Sequence, residues 1–159
     1  MKILMIVTSH EDFGTSGRKT GLWLEEFAAP YYRFKEAGAD ITVASPAGGQ
    51  PPIDPASLGD DFQSDDTRRF NEDSVAQDLL ANTKALSSIK ADGFDAVFYP
   101  GGHGPLYDLT DDVHSLALLR SFNADKRPIG TVCHGVTALI KATDDTNTPI
   151  IAGREITGF

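Results

Sequence analysis

Short unbroken apolar runs alternate along this chain with longer stretches whose apolar residues return every three or four positions. Residues 3–7, Ile3-Leu4-Met5-Ile6-Val7, form the first run. A run of this length with no polar interruption predicts a strand covered on both faces. A polar loop through Gly14, Gly17 and Gly21 follows. Trp23, Phe27, Tyr31 and Phe34 then recur at helical spacing over 22–37, and Gly38 supplies a stop. Pro30 lies inside that helix and is expected to kink or restart it, because it has no N–H to donate.

Residues 40–44 predict a second strand, ended by the Pro- and Gly-rich 45–52. Residues 53–70 are polar and aperiodic, a long excursion of the kind compact domains keep for function or disorder. Val75, Leu79, Leu86 and Ile89 give a weaker helical period around Asn82-Thr83. Residues 94–99 predict the next strand, closed by Pro100-Gly101-Gly102-His103-Gly104-Pro105. Asp111-Asp112 can cap a helix with Val113, Leu116, Leu119 and Phe122 on its apolar face. Residues 128–132 read as a further buried strand, followed by a sharp turn and a helix to about Lys141. Residues 149–152 and 155–158 read as two short strands around a Gly153 turn. Strands alternating with helices, without repeats, predict an α/β fold with a mostly parallel sheet and helices on both faces. Ligand sites in such sheets lie at the carboxyl ends of the strands, so the loops after Val7, Tyr99 and Val132 are expected to converge.

Composition narrows the partners. The 159 residues suit one domain, and 40% hydrophobic with 23% charged residues describes an ordinary globular chain. A formal net charge of -9 argues against nucleic acid or an anionic membrane as a main partner. The opening apolar run stops at Val7, short of a signal peptide, and no stretch approaches the length of a membrane span. Cys133 is the only cysteine, which forbids an internal disulfide and suggests a reducing, cytoplasmic setting.

Cys133 stands where the apolar 128–132 gives way to helix-compatible residues, with small residues two before (Thr131) and two after (Gly135). That is the steric pattern of a nucleophile elbow with sulfur in place of oxygen. A helix start and the adjacent His134 are expected to favour the thiolate. A buried inert thiol is the competing reading. Gly101-Gly102-His103-Gly104 offers either exposed N–H groups for a developing oxyanion or a simple strand-to-helix turn. Glu25 and Glu26 interrupt an apolar stretch. One of them is expected to face a cleft, where desolvation raises its pKa, unless both lie on a solvated face. His134, adjacent in sequence to the sulfur, is expected to point elsewhere on the turn. His10, His103 and His114 show no metal-ligand spacing, so no metal is expected, and His114 reads as a helix-surface residue.

These pieces together resemble the ThiJ/PfpI superfamily, a relative of class I glutamine amidotransferases, and within it the branch of heat-inducible chaperones and glutathione-independent glyoxalases. The resemblance rests on Thr20-Gly21-Leu22-Trp23-Leu24-Glu25-Glu26, Ser45-Pro46-Ala47-Gly48-Gly49, Pro52-Ile53-Asp54-Pro55-Ala56-Ser57-Leu58, Tyr99-Pro100-Gly101-Gly102-His103-Gly104, Val132-Cys133-His134-Gly135 and Ile156-Thr157-Gly158-Phe159. It implies a flavodoxin-like three-layer sandwich and a homodimer. It implies Cys133 as nucleophile, Glu26 rather than Glu25 as the acid bonded to its sulfur, and His134 as third member. Gly102, His103 and Gly104 would form the oxyanion and substrate pocket. Relatives of this branch continue past the position of Phe159, so the domain is expected to be truncated at its C-terminal end, with the acid that orients His134 beyond Phe159.

The implied activity is conversion of a small dicarbonyl, methylglyoxal, to lactate, with no glutathione, metal or other cofactor. A cysteine peptidase or amidase, and a non-enzymatic holdase or thiol redox sensor with a stress-protection role, are the alternatives.

Overall fold

The computed structural model of the chain describes residues 1–157. The strands are β1 (Lys2–Ile6), β2 (Asp40–Ser45), β3 (Lys84–Ala85), β4 (Ala96–Tyr99) and β5 (Ile129–Thr131). They form one sheet in the order β3-β2-β1-β4-β5, with every pairing parallel. The helices are α1 (Leu24–Glu36), α2 (Asp65–Glu72), α3 (Ser74–Ala81) and α4 (Val113–Ala124).

The continuous apolar run of β1 has the consequence expected of it. Ile3, Met5 and Val7 face one layer, where they pack with Phe27, Tyr31 and Tyr32 of α1, Phe70 of α2 and Leu80 of α3. Leu4 and Ile6 face the other, with Leu118, Leu119 and Phe122 of α4 and with Ala138 and Leu139. All five β1 and post-β1 apolar side chains are buried, each contributing roughly 1.5–3 kcal/mol over an exposed position. The result is the flavodoxin-like three-layer α/β sandwich. The chain builds β1, β2 and β3 outward on one side, then crosses back to place β4 on the other flank of β1. That reversal lies between β1 and β4, and it gathers the loops after β1, β4 and β5 at one edge.

Several expectations are corrected. Pro30 sits within α1 without breaking it, because buried Phe27, Ala28, Tyr31 and Tyr32 hold the helix to the sheet on both sides of the lost hydrogen bond. The excursion at 53–70 is ordered. It holds 3-10 turns at Pro55–Leu58 and Asp60–Phe62 and then α2, whose start is fixed by a Ser64/Thr67 capping box. The weak period around Asn82 is a helix that ends at Ala81, and Val75 is exposed. Asp112 does cap α4, accepting from Ser115 N at 2.7 Å, but Val113 faces solvent and Ser115, Leu118, Leu119 and Phe122 turn inward.

Residues 149–152 form a turn rather than a strand. Ile150 N donates to Ala142 O at 3.0 Å, and the Ile150 side chain enters the α4 layer. No strand occurs at 155–157, and Gly158 and Phe159 lie outside the described residues. The helix after the elbow is 3-10, Cys133–Leu139. The Thr137 hydroxyl takes the His134 carbonyl at 2.7 Å, competing with the regular helical bond. Among the described residues no helix is long and apolar enough to cross a membrane.

Candidate active site

Val132 leaves β5 with its N–H donated to Tyr99 O at 3.1 Å, and the chain reverses at Cys133, whose φ is 52°. A non-glycine residue in the left-handed region is unusual and marks a tight, overdetermined turn. Gly135 makes the turn possible, because a Cβ there would run into the carbonyls of Tyr99 and Pro100. The Cys133 side chain is half-buried, neither sealed in hydrocarbon nor fully open.

The turn after β4 wraps the same sulfur. Gly101 N donates to Glu26 Oε2 at 2.9 Å, and Gly101 O accepts from Trp23 N at 3.1 Å. The start of α1 is thereby sewn to the glycine turn, and the Glu26 carboxyl stands beside the Cys133 thiol. In sequence, Gly101 reads as part of the glycine turn, with no site role of its own. A Cβ on it would stand 2.5 Å from Glu26 Oε2 and 2.9 Å from Cys133 Cβ. The doubled glycine of 101–102 is the sequence signal that points there.

His134 does not point elsewhere on the turn. Its ring folds back so that Nδ1 lies 3.2 Å from Cys133 Sγ. His103 packs beside it, ring centroids 4.7 Å apart. The backbone N–H groups of Gly102 and His134 face the sulfur. Gly104 stands outside that donor set: its N–H goes to Gly21 O at 3.3 Å, and its α-carbon is pressed against Thr8. Glu25 is not part of the cluster's hydrogen bonding, and His114 is exposed on α4. Among the described residues no group of three or more His, Cys, Asp or Glu side chains is placed to hold a metal ion. A cavity of about 610 Å³ lies along Arg127, Ile129, Ile150 and Ile156 and contains none of these side chains. Chemistry, not volume, therefore locates the site.

The electrostatics correct the expectation of a simple activated thiolate. Burial pushes the Cys133 thiol up, the negative charge of Glu26 pushes it further, and the His134 and Gly102 N–H groups only partly offset this. Burial likewise raises the Glu26 carboxyl, against the opposing hydrogen bonds from Cys133 and Gly101. Each group thus holds its proton more tightly than it would in water, and a proton leaving the sulfur has the Glu26 carboxyl beside it as an acceptor. His134 is pulled down by burial and by the neighbouring His103, which favours the neutral, proton-accepting imidazole.

A stability test follows. The fold binds the Glu26 proton more tightly than the unfolded chain does. The stability this confers is complete below the unfolded carboxyl pKa and is lost as pH rises through the folded one. Glu26→Gln carries no charge at any pH, can still accept from Gly101, and escapes that loss. Thermal melts should show the variant level with wild type in acid and higher by roughly 2–4 °C near neutrality. A gap that shrinks as pH rises contradicts the assignment.

The chain is an α/β sandwich of parallel strands with a sharp cysteine turn, a carboxyl and a glycine turn gathered at its switch point. This chain belongs to the DJ-1/PfpI family, whose model matches residues 20–159. It is 32% identical to the glutathione-independent glyoxalase HSP31 of Saccharomyces cerevisiae, over 99% of this chain and 68% of that protein. Among solved structures it is similar to the Rapid Encystment Protein 24 kDa of Francisella tularensis, with 34% identity, 99% of this chain and 69% of that one covered, and a TM-score of 0.93. It is also similar to glyoxalase III of Candida albicans, at 29% identity, with 100% and 68% covered and a TM-score of 0.91.

Proposed function

We propose that the chain is a glutathione-independent glyoxalase that turns methylglyoxal into lactate through Cys133. The observation that carries this reading is the half-buried Cys133 sulfur with His134 Nδ1 at 3.2 Å and the Glu26 carboxyl, held by Gly101 N, beside it. Relatives carrying the glyoxalase name, over two thirds of their length, support the substrate class.

The thiolate adds to the aldehyde carbon, and Glu26 delivers its proton to the new alkoxide, giving a hemithioacetal. His134 then takes the hydrogen from that carbon and returns it to the neighbouring one, leaving a lactoyl thioester, which water cleaves. Backbone N–H groups of Gly102 and His134 are suited to the oxyanion stages. Placing the thiol, the acid and the base on rigid turns supplies the proximity such a sequence needs. A homodimer, a cytoplasmic location and a stress-protection role belong to the same reading.

The test is direct. The purified chain, given methylglyoxal without glutathione, should accumulate lactate, measured enzymatically or by proton NMR. Consumption of methylglyoxal without lactate points to simple trapping by thiol and amines and sinks the reading.

A further inference from the structure

The acid that orients a histidine was expected beyond Phe159 and for His134. A buried carboxylate with that geometry is present inside the described chain, and it faces the other imidazole. Asp54 is 5% exposed. Its Oδ1 accepts from Ala56 N at 2.9 Å and its Oδ2 from Thr20 Oγ1 at 2.7 Å. Its own N–H goes to Leu22 O at 2.8 Å, so the carboxylate is tied to the segment that also holds the glycine turn. Oδ2 lies 3.6 Å from His103 Nδ1. That nitrogen is buried and has no hydrogen-bond partner. At 3.6 Å the contact is an ion-pair approach rather than a hydrogen bond, and a small tilt of the imidazole closes it.

His103 cannot drift far. Phe13 meets its ring edge-on at 4.8 Å, and His134 lies 4.7 Å away on the reacting side. The titratable groups around it are therefore Asp54 from the excursion after β2 and His134 from the elbow, with Glu26 and Cys133 beyond His134. A buried carboxylate aimed at Nδ1 fixes which nitrogen carries the hydrogen and frees Nε2 for proton exchange.

Resting on the glyoxalase reading above, we propose that His103 is a second acid–base group, serving the carbonyl oxygen that sulfur does not attack, and that Asp54 is its positioning residue. As His134 removes the proton from the sulfur-bearing carbon, the C–H pair becomes the carbon–carbon double bond. The ketone π pair moves onto its oxygen, which takes a proton from His103 to give the enediol. His134 then returns its proton to the former ketone carbon. The hydroxyl on the sulfur-bearing carbon gives its proton to His103 as the thioester carbonyl forms. Water cleaves the thioester, releasing lactate and the thiol. His103 ends as it began, and no oxidant or reductant is consumed. The arrangement divides labour between two imidazoles, the depressed one as base and the carboxylate-backed one as acid.

The experiment uses the full chain with methylglyoxal as substrate. His103→Phe keeps ring packing and should lower kcat about 10²–10⁴-fold with KM little changed. His103→Ala should fall as far and regain at least about tenfold in buffer imidazole, which a packing role would not allow. Asp54→Asn should lose about 10–100-fold in kcat at constant KM. Cys133 alkylation by iodoacetamide at wild-type rate certifies that each variant keeps its fold. If the His103 variants fail that check, Asp54→Asn alone decides. Wild-type kcat in His103→Phe or Asp54→Asn, a loss confined to KM, or no imidazole rescue overturns the assignment. Absence of lactate from wild type overturns the glyoxalase reading itself, so the two failures are distinguishable.

Discussion

Cys133→Ala is expected to lower lactate formation from methylglyoxal by about 10⁴-fold or more in kcat/KM. The loss is of that order because the covalent route has no substitute: the chain holds no other thiol. The fold should be unaffected. Alanine bears the same Cβ as cysteine at φ 52°, so the variant keeps whatever backbone strain the wild type carries. It also removes only a half-buried sulfur, without leaving a bulky gap. Wild-type melting with abolished turnover is therefore the expected pair of results, and equal turnover in the variant ends the proposed mechanism. Suppression of client aggregation that survives the substitution would instead mark a function independent of the sulfur.

Gly101→Ala is expected to do smaller but still large damage without touching a reacting atom. The added methyl would lie 2.5 Å from Glu26 Oε2, 2.8 Å from Val132 O and 2.9 Å from Cys133 Cβ. Two of these neighbours belong to the elbow and the third to the acid, so the clash must push the Glu26 carboxyl and the sulfur apart. A displacement near 1 Å costs roughly 10²-fold in rate, and overpacking costs about 1–3 kcal/mol in stability. Gly93→Ala is the control, since a Cβ there meets nothing within 4 Å. Steady-state kinetics and thermal melts on both variants check this. A Gly101→Ala protein with wild-type kcat would show that the turn yields more easily than its packing implies.

Much of the fold was legible in the sequence because four strands are short apolar runs and both faces of the sheet are covered. Residues 3–7 could hardly be anything else. The stretch at 53–70 was opaque for the opposite reason: its structure comes from side-chain caps, Asp54 on Ala56 and Ser64 with Thr67, rather than from apolar periodicity. The apolar 149–152 misled because strand-forming isoleucines also serve as plugs, and Ile150 fills the α4 layer from a turn. At the site, Cys133, Glu26 and the glycine turn were readable from local patterns and from resemblance. The sign of the thiol's shift was not. It comes first from burial of the sulfur and then from a carboxyl more than a hundred positions away arriving beside it, against the backbone N–H groups of His134 and Gly102. Asp54 and His103 were both visible, but only the crossing between β1 and β4 makes them neighbours.

Pro30 gives the acid an unusual mechanical status. Four residues on from Glu26, it has no hydrogen to offer the Glu26 carbonyl, so the first turn of α1 is weakly yoked to its own cylinder. What grips that turn instead comes from outside: Gly101 O on Trp23, the Ser57 hydroxyl on Leu24, and Gly101 N on the carboxyl. Carboxyl and sulfur therefore ride on one carriage, hung from the loop beyond β4, and breathing of the long helix need not change the gap between them.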